Sequence, residues 1–126
     1  MCIPEEGCIH VCVIRDTVMA LVGVIYDPAT GDSTYRGQRF GDAFPVTSSF
    51  AQNADWYVNN EPVTYKGRRY VKHGLPRALG YRDVVHDGEF LGVPVFAAPP
   101  GPPTGVIYLP VKPGCEFQPY YISGVK

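Results

Sequence analysis

The sequence predicts an all-β fold: a small barrel or sandwich of short antiparallel strands and hairpins, with at most one short helix near residues 49–57. Three observations carry this. Glycine (14) and proline (13) together make 27 of the 126 residues, against roughly 12 % in average usage. Only two windows longer than ten residues, 8–22 and 46–61, lack both, which leaves little room for a helical bundle. Hydrophobic residues make up 45 % and aromatics 13 %, with nine Tyr and only 18 % charged residues. A disordered chain does not have that composition. No G-X-Y period marks a collagen, and no apolar run reaches the ~18 residues of a membrane-crossing helix. One β-rich domain over 1–126 is expected, with residues 1–26 as an apolar segment docked on it.

The elements follow in order. Segment 8–26 is the most apolar and is crowded with β-branched residues (Val11, Val13, Ile14, Val18, Val22, Val24, Ile25), so it reads as strand. Asp16-Thr17 would cap a helix instead, with Val18, Leu21, Val22 and Ile25 on one face, but β-branching outweighs that signal. Val18–Tyr26 after Arg15 also resembles the apolar part of a signal peptide. Glu5, Glu6 and Asp16 ahead of it and the lack of an A-x-A site argue for a strand. Asp27-Pro28-Ala29-Thr30-Gly31-Asp32 is a turn.

A local pattern then recurs. Thr34-Tyr35-Arg36-Gly37-Gln38-Arg39-Phe40 is echoed by Thr64-Tyr65-Lys66-Gly67-Arg68-Arg69-Tyr70. Each places a residue and a glycine between two β-prone arms, which is a hairpin signal, and Asp87-Gly88 predicts a third hairpin. Phe50–Val58 is the best helix candidate, and its Trp56 is expected to anchor the core. Beyond Gly80 the chain reads as short strands at 84–86, 90–97, 106–111 and 117–122. Pro94 and Pro110 cannot donate to a ladder, so edge strands or non-pairing positions are expected for them. Residues 98–105 (APPGPPTG) form a stiff exposed loop of polyproline II character, read as a hairpin connection. Val22, Val24, Phe44, Trp56, Tyr70, Leu79, Val95, Ile107 and Phe117 are the expected core.

The net charge is −1, but its distribution is uneven. Residues 1–60 carry three basic and seven acidic groups, whereas Lys66, Arg68, Arg69, Lys72, Arg77 and Arg82 meet only Glu61 within 61–82. Those six basic residues with Tyr70 are the candidate site for an anionic or protein partner. The alternative is a solvated face of alternating strands. Tyr65, Tyr70 and Tyr81 interleave with the basic residues, as in single-strand binders, yet no RNP-type or K-homology loop motif accompanies them, so nucleic acid is not expected.

Cys2, Cys8 and Cys12 lie near the start, and Cys115 lies far away. The spacing lacks a C-x2-C pair, so no metal site is expected. Two fates stay open: buried free thiols, or a disulfide from the N-terminal segment to Cys115 that ties distant parts of the chain together. Ser48, Ser49, His73, His86, Asp83 and Asp87 include the residue types of a catalytic triad, but no motif orients them. No phosphate-binding glycine loop is present and no cofactor is expected. Tyr35-Arg36-Gly37 with Thr47-Ser48-Ser49 matches two elements of arginine-type ADP-ribosyltransferases. The Glu-x-Glu that such enzymes need is missing, so that match is rejected.

Four strings resemble those of short uncharacterised bacterial proteins, often exported: Asn59-Asn60-Glu61-Pro62, His73-Gly74-Leu75-Pro76-Arg77, Tyr108-Leu109-Pro110-Val111, and Pro113-Gly114-Cys115-Glu116-Phe117-Gln118-Pro119-Tyr120. The similarity spans about residues 26–121. It implies a cell-envelope or extracellular location and transfers no catalytic residue. The functional expectation is a non-enzymatic protein-interaction module, such as an accessory subunit of an envelope assembly. The alternatives are a self-assembling filament or coat subunit joined by strand edges, and a ligand binder or unfamiliar enzyme using His73, Arg77 and the serines.

Overall fold

The computed structural model describes residues 8–15, 18–80, 82–99 and 101–123. Among the described residues about half are strand and about a tenth helical, in two antiparallel sheets. The smaller sheet has the order β1 (Cys8–Arg15), β2 (Val18–Asp27), β3 (Asp32–Tyr35), β4 (Gln38–Arg39). Cys8–Arg15 and Val18–Asp27 are therefore strands, as the β-branching of this stretch predicts. The two lie in a sheet with β3 and β4.

The larger sheet contains β5 (Val63–Tyr65), β6 (Arg68–Lys72), β7 (Arg77–Ala78), β8 (Val85–Phe90), β9 (Val93–Ala97), β10 (Val106–Lys112) and β11 (Glu116–Ile122). Its order is β5-β6-β11-β10-β9-β8, with β7 also on β11. It curls into a half-barrel. The sequence foresees one helix at most near 49–57. That region holds a 3-10 turn at Ala51–Asn53 and a helix α2 at Asp55–Val58, and a further four-residue helix, α1, occupies Phe40–Ala43. Helix α1 escapes sequence reading because a single turn has no period to detect.

The period of two divides the half-barrel's side chains between two cores. Val63, Tyr65, Tyr70, Val93, Val95, Ile107, Leu109 and Tyr120 fill one, with Trp56 and Tyr57 of α2 packed against it. Val84, Phe96, Cys115 and Phe117 face the other way and pack with Phe50 and with Ile14 of β1. Strand β9 is buried along its whole length because it serves both cores. Six expected core residues (Val24, Phe44, Tyr70, Val95, Ile107, Phe117) are buried. Val22, Trp56 and Leu79 are half-buried.

Both echoed hairpins form. Arg36 and Gly37 have φ of 52° and 83°, and Lys66 and Gly67 have 50° and 77°. Two consecutive positive φ values give the turn whose twist matches paired strands. The third hairpin is displaced: Leu91 (φ 49°) and Gly92 (φ 87°) make the turn, while Gly88 lies inside β8 at a bulge. Pro94 and Pro110 do not sit on edge strands. The pairing of Tyr108 with Phe96 places these prolines opposite one another, so two residues without N–H meet where the β9–β10 ladder stops. The described residues between β9 and β10 connect the two strands as expected, and Gly101 N–H donates to the Ala98 carbonyl (2.9 Å), a turn and not an extended polyproline II contact.

Cys12 and Cys115 are joined by a disulfide, with Cα atoms 5.5 Å apart and a sequence separation of 103. This settles the choice between thiols and a disulfide for these two residues. Cys2 lies outside the described residues, as do the side chain of Cys8, the helix-cap candidate Asp16-Thr17, and Tyr81. A main-chain bond from Ile14 N–H to the Pro113 carbonyl (2.8 Å) accompanies the disulfide, so β1 is fixed to the β10–β11 turn twice.

Candidate functional site

The most constrained surface feature is the loop between β6 and β7. Both strands pair with the same side of β11: Lys72 with Tyr120, and Arg77 with Phe117. Two residues of β11, Gln118 and Pro119, face four of the other chain segment, His73 to Pro76. Proline explains the break. Pro119 has no N–H to continue the ladder, so the chain opposite leaves the sheet and returns after Pro76.

Gln118 supplies what the ladder lacks. It is 1 % exposed. Its Nε2 donates to the carbonyls of His73 (3.2 Å), Gly74 (3.1 Å) and Pro119 (3.2 Å), and its Oε1 accepts from the Tyr57 hydroxyl (2.9 Å). The loop is pinned at both ends as well. His73 N–H donates to the Pro119 carbonyl (3.0 Å) and Leu79 N–H to the Cys115 carbonyl (3.1 Å). The His73 ring stacks on Tyr121 at 4.1 Å. Gly74 takes φ +70°, which a side chain would resist. Pro76 disfavours helical geometry at Leu75, which lies in the bend. The result is a rigid loop whose tip, Leu75, is 83 % exposed, more than any other large hydrophobic residue described.

The structure takes the predicted basic patch apart. Tyr70 is 2 % exposed and belongs to the core, away from the exposed arginines. Lys66 pairs with Asp87 (2.9 Å). Lys72 lies over the Tyr57 ring at 3.7 Å and donates to the Tyr57 carbonyl. Burial there lowers its pKa. Arg68 and Arg69 are exposed on the β5–β6 hairpin beside Ile122 and Ser123. Arg77 is exposed at the other end of β11, two residues from Leu75, and Arg82 is exposed in the loop before β8. The three exposed arginines with known strand positions therefore divide between two ends of one strand. Only Arg77 shares a surface with the braced loop.

The remaining chemistry-bearing groups serve structure. Asp87 sits at the β8 bulge and accepts from the Tyr65 hydroxyl (2.5 Å) while pairing with Lys66. These bonds, Lys66 first and then Tyr65, hold its carboxyl below the usual carboxylate range. Burial, followed by the bond to Asp87, pushes the Tyr65 hydroxyl up. This cluster joins β5 to β8, the two ends of the half-barrel sheet. Asp83 accepts from Gly80 N–H (2.7 Å), and His86 meets the edge of Phe96. Among the described residues no hydrogen bond joins Ser48 or Ser49 to either His73 or His86, and no three of His, Cys, Asp and Glu converge as a metal shell. No described helix is long and apolar enough to cross a membrane.

Sequence reading missed Leu75 and Gln118. The string His73-Gly74-Leu75-Pro76-Arg77 marks a turn, but exposure and a long-range amide brace are tertiary facts. No family model, curated protein or solved structure matches the chain.

Proposed function

We propose that this protein is a non-enzymatic protein-interaction module that presents Leu75 to a partner, as an accessory subunit of a cell-envelope assembly. One observation carries the reading. A buried amide with four hydrogen bonds holds rigid a loop whose tip is the most exposed large apolar side chain described. Apolar exposure opposes solubility, and a rigid loop loses little entropy on docking. Leu75 acts as the anchor, with Arg77 beside it as the charged contact. The fitting partner has an apolar pocket edged by carboxylate.

The Cys12–Cys115 disulfide supports the envelope part of the reading, because such bonds persist in oxidising compartments. The enzyme alternative, built on His73, Arg77 and the serines, has less behind it, since the His73 ring stacks on Tyr121 and among the described residues no hydrogen bond joins it to Ser48 or Ser49.

A photo-crosslinking residue at position 75, with Leu91 (72 % exposed) as the control, tests the proposal in the source cell. The expected result is a discrete protein adduct from position 75 that Arg77→Glu weakens. Equal, diffuse crosslinking from positions 75 and 91 would overturn it.

A further inference from the structure

The two sheets are built from consecutive stretches of chain. Strands β1 to β4 end at Arg39, and β5 begins at Val63. Among the described residues no ladder joins one sheet to the other. A ladder would tie the two halves by a row of main-chain bonds. The tie here is of another kind.

It is concentrated at one place. Among the described residues the first core takes none from the smaller sheet. The second core takes Ile14, with Cys12 and Met19 packed at its margin. Ile14 N–H donates to the Pro113 carbonyl (2.8 Å). Two residues along from each, the Cys12–Cys115 disulfide clamps the same spot. Beside it the packing is incomplete. A groove of about 320 Å³ lies between Ile14, Ala43 and Phe44 on one side and Phe50 and Pro113 on the other. Residues 45–49 carry the chain across and hold neither strand nor helix. The smaller half keeps ring contacts of its own: Phe44 meets Tyr35 and Phe40, each at 5.0 Å.

We infer that the Cys12–Cys115 bond is a redox-controlled latch: a dithiol that reduces it lets the smaller sheet swing away from the half-barrel about residues 45–49, with both sheets still folded. Cys12 is half-buried and Cys115 is 1 % exposed, so exchange starts at Cys12. A thiolate of the reductant attacks Cys12 Sγ, the Sγ–Sγ bond breaks, and Cys115 leaves as thiolate. The second thiol of the reductant then displaces Cys12. The reductant ends as a cyclic disulfide, and its two electrons and two protons end on the two cysteine thiols. At this spot one main-chain bond and the packing of Ile14 remain. Opening uncovers Cys115 and the apolar cluster around Phe50 and Phe117.

The test uses the full chain with Cys2→Ser and Cys8→Ser, so that the latch pair are its only thiols. Dithiothreitol reduces it, N-ethylmaleimide labels it, and peptide mass follows each cysteine. Cys115, buried while the seam is shut, is expected to label within about tenfold of the rate of Cys12, while the amides of β2 and β10 keep the protection they have in the oxidised protein. Cys12→Ser in the same chain opens the seam with no reductant present, so Cys115 labels as fast as in the reduced protein. Labelling of Cys115 more than about tenfold slower than Cys12 overturns the inference, because the seam then stays shut without the bond. Loss of amide protection in either sheet also overturns it, because the chain then unfolds instead of opening. Neither result touches the reading of Leu75, because no variant alters residues 73–79 and crosslinking from position 75 is done on the oxidised protein.

Discussion

At Gly88 a single missing methyl group decides how the half-barrel closes. A Cβ there would collide with the Tyr65 hydroxyl, which must reach Asp87. Gly88→Ala should therefore push Tyr65 away and destabilise the fold by about 1–3 kcal/mol, read as a shift in denaturant midpoint. Asp87 gives a pH signature with a definite sign. A carboxyl whose folded pKa is depressed stabilises the fold above its unfolded value, about 3.9. That contribution is lost as pH falls through the folded value. Tyr65 works in the opposite sense: its contribution is present below about pH 10 and fades as pH rises further. Asp87→Asn should cost about 1 kcal/mol at neutral pH. The gap from wild type should close as acid protonates the native carboxyl, and a gap that persists unchanged in acid would contradict the assignment.

At the scale of the element, Gln118 takes the place of a piece of sheet. Gln118→Leu keeps the volume but leaves the Tyr57 hydroxyl and the carbonyls of His73 and Gly74 without their partner. It should cost about 2–3 kcal/mol and loosen the loop selectively. Leu75→Asp, at an exposed tip, should stay within about 0.5 kcal/mol of wild type. Comparing the melting temperatures of the two variants checks both predictions. The elements themselves were largely legible. Residue-glycine pairs between β-prone arms identified two hairpins, and β-branching identified β1 and β2. The Leu91-Gly92 turn was missed because Asp87-Gly88 is the stronger local signal, and only contact with Tyr65 and Lys66 assigns that pair to a bulge. The candidate site was barely legible. Positive charge in 61–82 was visible, but Lys66 and Lys72 are captured by Asp87 and Tyr57, 21 and 15 residues away, and Tyr70 is buried by other strands. Pro119 was visible too, yet its consequence, an excursion braced by the neighbouring glutamine, needs the sheet to exist first.

At the scale of the whole molecule, the Cys12–Cys115 disulfide and the main-chain bond from Ile14 to Pro113, both among the described residues, fix β1 of the smaller sheet to the half-barrel. A crosslink spanning 103 residues restricts the unfolded chain by about 4–5 kcal/mol in the loop-closure account. Reduction, or Cys12→Ala with Cys115→Gly, should lower the melting temperature strongly. Glycine suits position 115, where φ is +59°. An unchanged melting temperature would show that the bond contributes little. With the two sheets joined, the larger sheet carries the braced loop at Leu75. The claim on which the functional account rests is that the loop is rigid. Hydrogen exchange of the amides of His73 and Leu79 tests this most directly. The account predicts protection within about tenfold of the β10 strand amides, and its selective loss in Gln118→Leu. Exchange in the wild type as fast as in the exposed turn at Thr30 would contradict it.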